Sequence, residues 1–482
     1  MTSTSLPAPR TGKPPAERKR RLIGIDIARF VAVFGMFNIH FGVPFVEGHP
    51  EIVVAEISSG RSTALFTFLA GVSLAMLSGR DVPPTGAALR DARLRIAVRA
   101  GLLLVFGVAL AKATEATGFL LTVIIAFYGL YFLLAVPFVR MSARGLGISA
   151  VVAALVGPQL SFLLRTWMAH DDVARGVVDA VNAVDPGHLI AELGLFDLLL
   201  LGFYPAASYL SLVLAGMAVG RLDLRSPKVR LWLAGSGLVL ACASYWGSDG
   251  LVAAVGGLPD LSAQGTVPIE HPDWLLAHTP HSGTTFELLG SLGVVLVILP
   301  ACLELAERAG RWLSPLAKAG SMALTLYALH AGVMAWQIVV GGWPLSGVPD
   351  FLAKLASMGP ALPHDIPDLP AFPPDGHRPE GFVAFLNIYM AELFLAFSIL
   401  FALVWRRYFA RGPLEAAVSE GVRWIVAKIN RRPVTSAAGT SAVGTSAAVT
   451  SAAVTSAAGA GRVDAGQRRR TGSPDAARSP SR

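Results

Sequence analysis

Apolar residues fall in long runs, separated by short polar stretches at fairly even intervals. The first run is 22–43 (LIGIDIARFVAVFGMFNIHFGV), and others lie at about 61–79, 94–111, 118–139, 147–168, 195–219, 231–247, 284–303, 321–341 and 382–405. A hydrocarbon layer about 30 Å thick takes roughly 20 helical residues to cross, and inside it each backbone polar group must be satisfied by the segment itself. The pattern therefore predicts an all-α, polytopic transmembrane helical bundle of about ten spans. Composition agrees with it: 53% of the 482 residues are hydrophobic and 15% are charged, too apolar for a soluble domain of this size.

Charge sets the expected orientation. The net charge of +8 comes from short basic clusters between the runs and in the tails, with no continuous basic face, so no nucleic-acid partner is expected. Arg90, Arg93, Arg95, Arg140, Arg144, Arg221, Arg225, Lys228, Arg230, Arg308, Arg311, Lys318, Arg406 and Arg407 follow even-numbered runs, whereas Glu47, Glu51, Glu56, Asp171, Asp172, Asp185, Asp249, Glu270 and Asp273 follow odd-numbered ones. The positive-inside rule then predicts cytoplasmic termini. His40, His49, His188, His271, His278 and His281 are expected at or near the outer face, and Arg29 deeper, toward the cytoplasmic half.

The flanks carry different signals. Residues 1–21 form a basic tail rich in Pro, Ser and Thr, predicted to be disordered and to lead into a retained signal-anchor. The transmembrane domain is expected over 22–411. Residues 412–432 read as an amphipathic segment on the cytoplasmic leaflet, with Leu414, Val418, Val422, Ile425 and Ile429 in one stripe. A Thr-Ser-Ala pentapeptide repeat marks 433–482 as a disordered low-complexity tail. Loops of about 169–194, 248–283 and 342–381 are long enough to be lids or linkers. Cys242 and Cys302 read as small core residues. His271, His278 and His281, spaced by seven and three without a cysteine or a His-Glu-x-x-His pattern, make a poor ligand set, so no metal is expected.

The first run also holds ionisable residues, which are costly in hydrocarbon and so demand a function or an interfacial anchor role. Arg29 and His40 are eleven positions apart. On a helix that is about three turns plus 20°, or roughly 16.5 Å along one face. Asp26, three residues before Arg29, is within ion-pairing reach of it, while Asn38 falls about half a turn away.

GIDIARFVAVFGMFNIH, followed by RSTALFTFLAGVSLAM, resembles the opening of the transmembrane acyltransferase superfamily, which includes the acyltransferase type 3 proteins, the heparan-alpha-glucosaminide N-acetyltransferases and a related bacterial family of unknown function. Arg29 and His40 match the spacing of an arginine and an essential histidine in the type 3 branch. The heparan acetyltransferase branch is similar in its Ile-Asp-x-x-Arg start and in the pattern from Phe66 to Gly71, but it usually has asparagine where His40 stands and keeps its working histidine in the next loop, here His49. GSMALTLYALH resembles a late helix of the superfamily, and FARGPLEAAV the closing signature of the unknown-function relatives. The resemblance spans roughly 22–420.

It implies acyl transfer from acyl-CoA, the donor substrate, with no metal. Such a reaction needs a base for the acceptor's proton and donors for the developing oxyanion. His40 is the expected base, with His49 as the other candidate. Asp26 would orient Arg29, and Arg29 would hold a CoA phosphate or keep the helix in register. Arg61 would bind donor phosphate or acceptor, or anchor its helix at the interface. His330 would bond a partner helix or assist proton movement, and Gly71 would allow close helix packing. The expected activity moves an acyl group, acetyl foremost, from cytoplasmic acyl-CoA to a glycan or lipid-linked sugar at the outer face of the plasma membrane. A proton-linked secondary transporter or lipid exporter is the alternative, and an envelope scaffold with a decayed site the third reading. The chain carries neither a P-loop nor a Gly-x-Ser-x-Gly nucleophile motif.

Overall fold

The computed structural model describes residues 21–41, 57–115, 122–258, 265–340 and 389–430. His49, the whole 342–381 loop and the tails 1–20 and 433–482 lie outside them. Each of the ten apolar runs holds a helix: α1 (Ile23–Phe41), α2 (Arg61–Leu77), α3 (Gly86–Glu115), α4 (Ile124–Ala135), α5 (Ala143–His170), α8 (Ala206–Gly220), α9 (Pro227–Ala254), α10 (Thr285–Ala309), α12 (Ala323–Val340) and α13 (Met390–Tyr408). Short helices α6 (Asp172–Asn182), α7 (Pro186–Ala191) and α11 (Ser314–Gly320) lie between them, and α14 (Pro413–Asn430) follows.

By length and composition, α1, α3, α5 and α10 are each able to cross a membrane, and the pair α13 and α14, bent by 48°, is a further candidate. α2, α4, α8 and α12 are apolar but shorter. Their position explains why. α2 and α8 are buried on nearly every side, so they meet other helices rather than lipid. α2 and α8 also cross backbone to backbone: a Cβ on Gly71 would sit 2.0 Å from the Val213 carbonyl oxygen, and one on Gly216 2.0 Å from that of Phe68. The close packing expected at Gly71 is therefore present. α5 and α9, by contrast, turn Ile148, Val152, Leu155, Leu231, Trp232 and Val239 outward, an apolar face suited to lipid.

Two stretches differ from the sequence reading. The expected 169–194 loop is largely helical, because Asp171 and Asp185 each cap a helix: their carboxylates accept from the backbone N–H of Ala174 and Gly187, both at 2.8 Å. In the 248–283 loop, α9 runs on to Ala254 and residues Pro272–Leu276 form a 3-10 turn. α14 is helical as expected, but its buried edge runs through Val422 and Val426, while Ile429 is 45% exposed. The reason is a protein partner: α14 packs against α3 and α12.

α1 is the hub. It touches α2, α10, α11, α12 and α13, so its polar stripe lies among helices rather than against lipid.

Candidate active site on the first helix

At the Arg29 end, charges are closed on one another. The buried Asp26 carboxylate accepts from Arg29 Nη1 at 2.8 Å and from Arg21 Nε at 2.7 Å. Arg29 Nη2 donates to Ser73 Oγ at 2.7 Å, whose hydroxyl donates in turn to the Leu69 carbonyl at 2.7 Å. Asp26 does orient Arg29, as spacing predicted. The two late motifs lock together close by. Glu415 Oε1 accepts from the backbone N–H of Leu324 and Thr325 (2.8 and 3.2 Å), Oε2 accepts from the Thr325 hydroxyl (2.6 Å), and the Leu414 N–H donates to that hydroxyl oxygen (3.1 Å). A carboxylate thus satisfies the orphan donors that begin α12. A Cβ on Gly412 would lie 2.2 Å from Glu415 Oε2, so a larger residue here would displace that carboxylate.

These residues border a cavity of about 360 Å³, lined by Arg29, Phe66, Ser73, Arg99, Tyr128 and Ser419 among others. Phe66 and Tyr128 in its wall belong to a layer of rings. Phe66 packs on Tyr128 (5.4 Å between centroids) and stacks on Tyr327 (6.3 Å), and Tyr327 meets His330 edge-on at 5.0 Å.

Beyond that layer lies the His40 end. His40 Nδ1 is 3.0 Å from His330 Nε2, with the two rings nearly parallel at 5.2 Å. His330 Nδ1 is 2.6 Å from the Tyr327 carbonyl, which can only accept. For neutral rings the proton positions follow. His330 carries its proton on Nδ1, its Nε2 accepts, and His40 Nδ1–H donates to it. The lone pair of His40 therefore sits on Nε2, on a residue with an exposed surface. The His40 imidazole is thus held in one tautomer by a buried second imidazole.

A second polar group adjoins it. His281, buried and at φ +66°, packs on Phe203 (4.9 Å) and Tyr204 (5.4 Å). Burial pushes its imidazole from 6.5 down to about 4, and nearby His40 acts in the same direction, so the ring is neutral. Tyr204 meets Tyr209 at 5.7 Å. Buried Glu287 lies in the electrostatic reach of Tyr204, Tyr209 and Arg61. Among the described residues, His281 Nδ1, Tyr209 Oη and Glu287 Oε2 are buried without a hydrogen-bond partner. Such atoms are costly to leave open, and so mark where a polar ligand or water belongs.

Of the sequence candidates, Asp26 and Arg29 join at one end of α1, and His40 and His330 at the other. Arg61 stands apart from both pairs: its Nε donates to Tyr245 Oη at 3.1 Å, and its guanidinium lies 5.2 Å from that ring's centroid. The three loop histidines diverge, His271 onto Trp274, His278 to Asp249 at 2.9 Å, and His281 inward. No group of three or more metal-binding side chains forms among the described residues. Glu287, Tyr204 and Tyr209 escaped sequence reasoning. The one signal for Glu287 was its place three residues after Thr284, whose hydroxyl oxygen accepts its N–H at 3.1 Å in a helix cap.

An all-helical bundle with spanning-length apolar helices and a polar line through its central helix defines an integral membrane protein. Residues 21–251 match the family model described as heparan-alpha-glucosaminide N-acetyltransferase, catalytic. That match, over α1 through most of α9, supports the heparan-alpha-glucosaminide N-acetyltransferase-like acyltransferase superfamily. No curated protein matches the chain significantly. His281, Glu287, His330 and Glu415 all lie beyond the matched stretch.

Proposed function

We propose that the protein is a membrane acetyltransferase that takes an acyl group from cytoplasmic acyl-CoA and delivers it to a hydroxyl or amine of a glycan or lipid-linked sugar at the outer face of the plasma membrane. The observation that carries this reading is the relay from the Tyr327 carbonyl through His330 to His40, which leaves His40 Nε2 as the proton acceptor. A base of this kind takes the acceptor's proton as its oxygen or nitrogen attacks the thioester carbonyl. The proton then returns to the departing CoA thiolate. Arg61 lies in electrostatic reach of the Glu287 carboxylate, and the polar group around His281 is suited to hold a hydroxyl-rich acceptor.

The family match to an acetyltransferase catalytic domain favours acetyl as the group moved. The alternative, a proton-linked carrier, draws on the same histidines but lacks support from the Arg29 end, where Asp26 is tied to two arginines. Purified protein in detergent, given labelled acetyl-CoA and an amino-sugar or glycolipid acceptor, should transfer the label. Counterflow of a solute in liposomes with no transfer under any donor would instead establish the carrier. His49→Ala should cost less than His40→Ala. A dead His49 variant beside an active His40 variant would move the base into the 42–56 segment.

A further inference from the structure

Four arginines line a second cavity of about 240 Å³, between α3 and α14: Arg95, Arg99, Arg411 and Arg423. Two of them are already neutralised. Arg95 Nε donates to Asp91 at 2.7 Å, and Arg423 pairs with Glu420 one turn away. Arg99 and Arg411 have no acidic partner among the described residues, and they lie close enough for their like charges to oppose each other. The nearest carboxylate in the adjoining cavity, Glu415, is spent on the start of α12. Two guanidinium groups turned toward one space without a counter-ion form an electrostatic arrangement that an anion completes, and the planar donor fork of arginine suits phosphate oxygens in pairs.

This cavity adjoins the one beside Arg29: Leu77, Arg99 and Ser419 border both. The cavity beside Arg29 contributes apolar wall as well, with Leu69, Leu103, Ile125 and Phe132. The two chambers together fall in the range of about 300–1,000 Å³ usual for small-molecule sites. We propose that the cleft between α3 and α14 binds the phosphate group of an amphiphilic ligand, with Arg99 and Arg411 on the phosphate and the ligand's chain lying in the cavity beside Arg29. Two sources offer that chemistry, the nucleotide end of CoA and the headgroup of an anionic phospholipid. In its first form the inference rests on the acyltransferase reading; in its second it does not.

Titration calorimetry on the full-length, delipidated protein in detergent separates them, with CoA in one arm and short-chain phosphatidic acid in the other. R99Q/R411Q should weaken at least one ligand by about tenfold or more, as expected for the loss of charge-assisted bonds to phosphate. Loss of CoA affinity alone assigns the cleft to the donor, and loss of phosphatidic acid affinity alone assigns it to lipid. Equal affinity of both ligands for variant and unsubstituted protein overturns the proposal, as does failure of both ligands to bind the unsubstituted protein. If R99Q/R411Q does not fold, R99K/R411K keeps the charge and removes the fork; an unchanged affinity for both ligands there overturns the proposal too. H40A should keep its phosphate binding while losing transfer. Phosphate binding by the unsubstituted protein with no acyl transfer from any donor sinks the acyltransferase reading alone. Transfer that proceeds in R99Q/R411Q with both affinities unaltered sinks the cleft alone.

Discussion

The two ends of α1 handle polarity in opposite ways. At the Arg29 end the carboxylate of Asp26 is gripped by Arg21 and Arg29, Arg29 continues to Ser73, and Glu415 satisfies three donors around the start of α12. At the His40 end, formal charge is scarcer, yet His40 Nε2 is left as a lone pair and His281 Nδ1, Tyr209 Oη and Glu287 Oε2 lack partners. Ionised residues in a membrane helix are therefore not by themselves the mark of chemistry. A closed network fixes a helix, whereas polar atoms left open beside it are where something else must bind.

That contrast breaks most sharply at His40. His40→Ala should lower acyl transfer by about a hundredfold to ten-thousandfold, the usual cost of losing a general base, while thermal stability stays near that of the parent. Equal loss of stability and rate would make His40 a packing residue like those at the other end. Next comes Glu415→Ala, which strips hydrogen bonds from buried donors and should destabilise the protein by roughly 3 kcal/mol, read as a lowered unfolding midpoint. Its turnover per folded molecule should hold; a variant that stays stable but loses turnover would make the Arg29 end a reacting site. His330→Leu leaves His40 Nδ1 without its acceptor and should slow transfer by about tenfold to a hundredfold, chiefly in kcat. An unaltered pH profile and rate would show that the ring pair does not set the tautomer.

The smallest expected effect concerns acid. His281 is neutral in the folded protein, its pKa lowered from 6.5 to about 4, so it binds fewer protons folded than unfolded. Its contribution is fully present above pH 6.5 and is lost as pH falls from there toward 4, by roughly 3 kcal/mol at most. His281→Asn, which tolerates the positive φ at this site, should flatten that acid-side decline in unfolding midpoint. The same decline in the variant would assign it to other groups.

Much of the first end was legible because its contacts are local. Asp26 and Arg29 are three residues apart, and a helical repeat pairs them without knowledge of the fold. The helices themselves were legible because lipid-length apolar runs leave the backbone few alternatives. The second end was not, because its contacts are distant. His40 and His330 are 290 residues apart, and Tyr204, Tyr209 and His281 meet only when α8 and the loop before α10 close on one another. The late Gly-Pro-Leu-Glu and Ser-Met-Ala-Leu-Thr motifs stood out singly in the sequence, but nothing in either announced that the glutamate of one caps the helix begun by the other. α14 illustrates a further loss: its stripe was assigned to lipid, and the partner that shifts it by a residue, α3, lies in an apolar run that disguised Arg99.

The ring layer of Phe66, Tyr128 and Tyr327 has an electrical consequence. In a membrane-spanning chain with water reaching both His40 and the cavity beside Arg29, the membrane voltage would fall mainly across those few aromatic residues. One elementary charge moved through the full drop exchanges about 2.3 kcal/mol per 100 mV. A neutral acyl group would cross that step without electrical work, whereas a proton moving between His40 and the Arg29 side would feel nearly all of it. Energised and de-energised vesicles would then differ in any turnover step that carries a net proton past Tyr327, and in no other.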